Sequence, residues 1–197
     1  VEGRVDRTSR AEKRQRLADA EKQLREATGE LKSLRREQQG VEQRIQREQF
    51  DQAARQEENV REKAPGAVQK IKSALETAER VSPQLAQKAA AARETVDERP
   101  VDSAVRDAHE AIQEAAVAAK TAEQDETHEG RAAASPDESK AEAERRSAHA
   151  LETMQEQIKA LDQLASRLRG ETRQASPDPV QQAAVDQGLE EVEDDLR

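Results

Sequence analysis

Residues 17–45 read LADAEKQLREATGELKSLRREQQGVEQRI, and the spacing of their apolar side chains decides the fold class. Leu17, Ala20, Leu24, Ala27, Leu31, Leu34, Val41 and Ile45 follow one another at intervals of 3, 4, 3, 4, 3, 7 and 4. Residues three and four apart share one side of an α-helix, so these form a single apolar strip. The interval of seven leaves one slot of the heptad to Gln38. Charged residues surround the strip, and Glu12–Arg16 and Glu21–Arg25 have the favourable i,i+4 order. Gly29 and Gly40 each cost a helix about 1 kcal/mol relative to Ala, but the strip continues past both. The pattern predicts one long helix from about Arg7 to Lys63, some 55 residues and roughly 80 Å if continuous.

A second strip lies near the other end of the chain. Leu151, Met154, Ile158, Leu161, Ala165 and Leu168 are spaced 3, 4, 3, 4 and 3. Ser135 is placed as an N-cap with Pro136 at the first helical position, and Glu138 stands at capping-box spacing. Gly170 is placed as the C-terminal cap. Between the strips, Pro65-Gly66 reads as a break. Val68, Ile71, Leu75, Ala78 and Val81 share a face beyond it, and Ser82-Pro83 and ERPVDS (98–103) each mark a new helix start. Ala104, Val105, Ala108, Ile112, Ala115, Ala119 and Ala122 share a face of an alanine-rich helix ending near Gln124. Val185, Leu189, Val192 and Leu196 suggest a short amphipathic helix at the end. The predicted divisions are a helix in 1–64, an alanine-rich helical segment in 65–125, a linker in 126–136, a heptad helix in 137–170, and a linker with a short helix in 171–197.

Composition says how such helices must live. Val, Ile, Leu and Phe make up 30 of 197 residues, about 15%, below the roughly 20% at which a globular core becomes doubtful. Alanine contributes 35 residues, and Phe50 is the sole aromatic. Such a chain either stays disordered or forms long helices that bury narrow strips against one another. Ala, Glu, Gln, Arg and Leu are strong helix formers, which favours the second outcome. The fold class expected is all-α: an elongated coiled coil or antiparallel helical bundle, with a long N-terminal helix and shorter alanine-rich ones. The net charge of −9 is uneven, +3 over residues 1–50 and −6 over each of 101–150 and 151–197. That asymmetry would help align two halves folded back on each other, or equally favour head-to-tail assembly.

The basic cluster before the first leucines, RTSRAEKRQR (7–16), raises the question of a DNA-binding zipper. A basic zipper needs side chains that read base edges as well as phosphates. Asn is absent from this arm, Asp6 and Glu12 dilute its charge, and the leucine repeat fails at Gln38. Sequence-specific DNA binding is not expected. His109, His128 and His149 stand 19 and 21 residues apart with no second ligand at metal spacing. There is no cysteine, no glycine-rich phosphate loop and no nucleophile elbow. The acidic end LEEVEDDLR (189–197) lacks calcium-loop spacing. No cofactor, metal or small-molecule substrate is expected, and no enzymatic activity.

No apolar run approaches the roughly 20 residues of a membrane span, and peripheral membrane contact is disfavoured by the acidic second half. A cytoplasmic location is the expectation, and Val1 in place of Met suits a segment processed or excised from something longer, of an envelope or phage type. The expected role is that of a scaffold, spacer or assembly module. Its partner is protein, either a second copy or another helix. The interaction seam is Leu17, Leu24, Leu31, Leu34, Val41, Ile45, Leu151, Met154, Ile158, Leu161 and Leu168. Two alternatives stay open from sequence: a largely disordered, stress-protective polyampholyte that folds on binding or drying, and a weak non-specific nucleic-acid binder.

Overall fold

The computed structural model describes residues 2–81, 83–124 and 135–174, and among these every regular element is an α-helix. In chain order they are α1 (Glu2–Gln46), α2 (Phe50–Val81), α3 (Pro83–Glu98), α4 (Val101–Gln124) and α5 (Pro136–Gln174). Residues 126–134 of the linker predicted at 126–136, the Ser82 cap and the terminal amphipathic helix lie outside the described residues, and Pro136 of that linker already belongs to α5.

The five helices form four rods, because α3 and α4 run one after the other in the same direction. Ion pairs fix every direction. Glu37–Lys63 joins α1 to α2, and Lys72–Asp97 joins α2 to α3. Asp51–Lys120 joins α2 to α4, and Asp107–Arg146 joins α4 to α5. Lys32–Asp162 and Glu21–Arg169 join α5 back to α1. Along each interface one residue number rises as its partner's falls, as Glu30–Lys70 beside Glu37–Lys63 and Arg99–Glu156 beside Asp107–Arg146 also show, so neighbouring rods are antiparallel. The result is an up-down-up-down bundle. At about 1.5 Å per residue, the 45 residues of α1 span close to 70 Å.

The predicted helix over Arg7–Lys63 is in fact two helices. The chain reverses at Arg47–Gln49 with neither Gly nor Pro to announce it. Gln49 N–H donates to the Arg44 carbonyl (2.9 Å) and Glu48 N–H to the Ile45 carbonyl (2.9 Å). Glu48 takes the left-handed conformation, φ 61°. This is the Schellman arrangement, in which two of the orphan carbonyls at the helix end find donors. Gly usually holds that left-handed position because it has no Cβ to clash. Here Glu48 occupies it and forms an ion pair with Lys140 of α5 (2.8 Å).

The reversal explains why the apolar register blurs after Ile45. It restarts on α2 as Phe50, Ala53, Glu57, Val60, Ala64, Ala67 or Val68, Ile71, Leu75 and Ala78, all buried. Two predicted breaks are likewise absent. Pro65 lies inside α2, which continues through Gly66 to Val81, and α5 continues past Gly170 to Gln174. A proline in a helix interior costs one backbone hydrogen bond and crowds the preceding turn. The buried residues on both sides of Pro65 hold α2 together across it. At Arg99–Pro100 the break is real, and Gln157 of α5 donates to the carbonyl of Arg99 freed there (2.7 Å). Ser135 and Pro136 stand where the sequence puts the start of α5.

Candidate functional site

Six of the eleven seam residues belong to α1, and Leu17, Leu24, Leu31, Leu34, Val41 and Ile45 are all buried there. Met154, Ile158, Leu161 and Leu168 are buried on α5. Leu151 is half-buried on the flank, and Ala150 and Leu164 complete the strip in addition to the residues singled out from sequence. The two strips meet each other and those of α2, α3 and α4 inside one chain. The charge asymmetry between the two halves does not govern this pairing. Lys32–Asp162 has its cation on α1, whereas Glu21–Arg169 and Glu48–Lys140 have it on α5.

The buried side chains form two apolar clusters. The larger includes Leu34, Val60, Val105 and Ala150, and reaches toward the Leu17 end of the bundle. The smaller includes Val41, Ile45, Phe50, Ala53, Ile112 and Ala143. Between them, one polar residue from each rod enters the interior: Gln38, Glu57, His109 and Ser147. Gln38, Glu57 and Ser147 are fully buried, and His109 is 6% exposed. Each comes from the slot where its helix's strip passes the division, or from the position beside it. Gln38 falls between Leu34 and Val41, Glu57 between Ala53 and Val60, Ser147 between Ala143 and Ala150, and His109 next to Ala108.

The bonding of this layer is incomplete. Gln38 Nε2 donates to Ser147 Oγ (3.1 Å). The other amide atom, Gln38 Oε1, has no partner, and neither has either carboxyl oxygen of Glu57. Burial pushes the Glu57 carboxyl up to about 8, and the nearby amide of Gln38 opposes this only in part. His109 Nε2 lies 3.1 Å from Glu58 Oε2 and 2.9 Å from Gln113 Nε2, while its Nδ1 is buried and unpartnered. Burial lowers the His109 pKa, against the pull of Glu58, so the ring is held neutral. Glu58 itself is held below the usual carboxylate range, first by its hydrogen bond from Arg61.

His109, which the sequence marks only as lacking a second metal ligand, is an interior residue. Glu57 gives no sign in a helix continuous to Lys63. Once α2 is phased from Phe50, Glu57 is visibly a charge in an apolar slot.

A second polar arrangement closes the Leu17 end. Glu21, only 9% exposed, takes hydrogen bonds from Arg25 on its own helix and from Arg169 on α5 (3.0 Å). The outer surface is charged and almost free of large apolar groups, with Val117 the exposed exception among the described residues. The groove between α1 and α2, about 440 Å³, has Leu34 and Ala67 at its floor and is crossed by the Glu37–Lys63 and Glu30–Lys70 pairs. Among the described residues no three His, Asp or Glu converge as metal ligands. No helix there is long and apolar enough to cross a membrane.

Comparison with protein-family models, with curated proteins and with solved structures gives no match in any of the three.

Proposed function

We propose that this chain is a non-enzymatic structural module, a preformed helical spacer or scaffold that works by presenting its charged outer faces to a protein partner. The observation that carries this reading is the fate of the seam. Ten of its eleven residues are buried within a single chain, which supports a bundle that folds without a second copy. A partner then meets the outside of the rod and not its leucines. The exterior is laced with pairs such as Lys32–Asp162 and Arg99–Glu156, each of little energetic weight alone. Such a surface suits weak, orientation-dependent contact better than apolar docking.

Mass in solution, helicity and small-angle scattering test this together. The expected result is a strongly helical monomer whose longest dimension approaches 70 Å. A coil-like circular dichroism spectrum in dilute buffer would favour the polyampholyte reading. A dimer that dissociates only on unfolding would return the seam to intermolecular use.

A further inference from the structure

We propose that the polar layer at the middle of the bundle is a proton-operated latch, closed while Glu57 is a neutral carboxylic acid and loosened when Glu57 ionises. The geometry points to this through a mismatch of donors and acceptors. Gln38 Oε1 and both oxygens of Glu57 are buried acceptors with nothing to accept from. One proton on Glu57 supplies a donor that the layer lacks, and the amide of Gln38 is the polar group near it. The chain then runs from the Glu57 hydroxyl to Gln38, and from the Gln38 amide to Ser147.

Removing that proton leaves a bare charge between two apolar clusters. Most of the ionic groups that flank the layer already have partners, and an exception is Arg35, three residues before Gln38 on α1, whose Nε is buried and unpartnered. On the α1 side Glu37 is paired with Lys63. On α2 itself Glu58 is held by Arg61. On α4 His109 is turned to Glu58 and is neutral, and Asp107 lies 3.7 Å from Arg146. On α5 Arg146 is bound by Glu142 as well (2.6 Å). Among the described residues no cation pairs with Glu57, so the cost of the charge falls on the packing.

The folded carboxyl holds its proton up to about 8, against 4.5 when exposed. The stability it contributes is therefore complete below pH 4.5, is withdrawn as pH rises to about 8, and stays lost above. The test is urea unfolding of the full chain at a series of pH values, wild type beside Glu57→Gln, which keeps the shape and removes the ionisation. The ratio of the two unfolding constants is expected to change several hundredfold between pH 5 and pH 9, close to tenfold per unit in the middle of the range. Parallel pH curves for the two proteins overturn the proposal. Should the variant fold poorly, infrared or NMR titration of the Glu57 carboxyl in the folded wild type decides instead. A midpoint near 8 supports the latch, and an ordinary midpoint near 4.5 refutes it.

Discussion

Four glycines of the described helices make a controlled experiment on the packing. A Cβ built at Gly29, Gly66 or Gly170 meets nothing within 4 Å, and all three positions are exposed. At Gly40 the same atom comes within 2.7 Å of Gln56 Nε2. That amide is engaged on both sides. It donates to the carbonyl of Glu37 (2.9 Å), and its oxygen accepts from Arg44. Replacing Gly by Ala in a helix interior stabilises by about 0.8–1 kcal/mol through backbone entropy. The three open sites lie on three different helices, so their effects should add to roughly 2–3 kcal/mol. In a chain of this size that is roughly 5–10 °C in Tm. Gly40→Ala gains the same entropy but evicts Gln56, losing two hydrogen bonds of about 1 kcal/mol each, so its Tm should sit at or below wild type. Thermal denaturation followed by circular dichroism reads all of this. The reasoning fails if Gly40→Ala gains as much as Gly66→Ala, or if the triple variant gains nothing.

Glu48→Gly should raise Tm by about 2–4 °C, because it removes the left-handed strain at the α1–α2 turn, and a drop would mean that the Lys140 contact outweighs that strain. Leu24→Asp with Leu31→Asp places two charges at fully buried positions. Since Leu→Ala alone costs about 3–5 kcal/mol at such a site, the double variant should lose its helical spectrum at 25 °C. Unchanged circular dichroism would rule out the buried seam. The depressed His109 pKa means that its contribution is present above the unfolded value of 6.5 and is lost as pH falls below it. The stability of His109→Gln relative to wild type should therefore be greater at pH 5 than at pH 7 in urea titrations, and an unchanged difference would count against a buried neutral ring.

The strips of α1 and α5 were legible in the sequence because spacing alone shows them, and so was the start of α5 at Ser135–Pro136. The turn at 47–49 was hidden because its signal residue is Glu48, not Gly, and the hydrogen bonds that close it belong to the backbone. Pro65-Gly66 and Gly170 carried the opposite error. Both look like helix ends, yet tertiary packing of Ala64, Ala67 and Val68 keeps α2 going, and α5 continues past Gly170 through half-buried Glu171 and Thr172. The polar layer depended on the same phase. With α1 misread as running to Lys63, Glu57 fell on no face in particular. His109 becomes interior only when four rods are set at one level, which no single helix pattern contains, whereas Ser147 stands in the α5 strip between Ala143 and Ala150.

Nearly half of the apolar interior is alanine. Among the described residues 38 apolar side chains are buried, and 17 of them are alanines. Each hides little hydrocarbon from water, so unfolding should release less apolar surface per residue than in a core of leucine and phenylalanine. The heat capacity of unfolding scales with that surface and bends the curve of stability against temperature. A bundle packed with methyl groups should therefore have a shallow curve, with modest stability spread over a wide thermal range and cold denaturation pushed far below freezing.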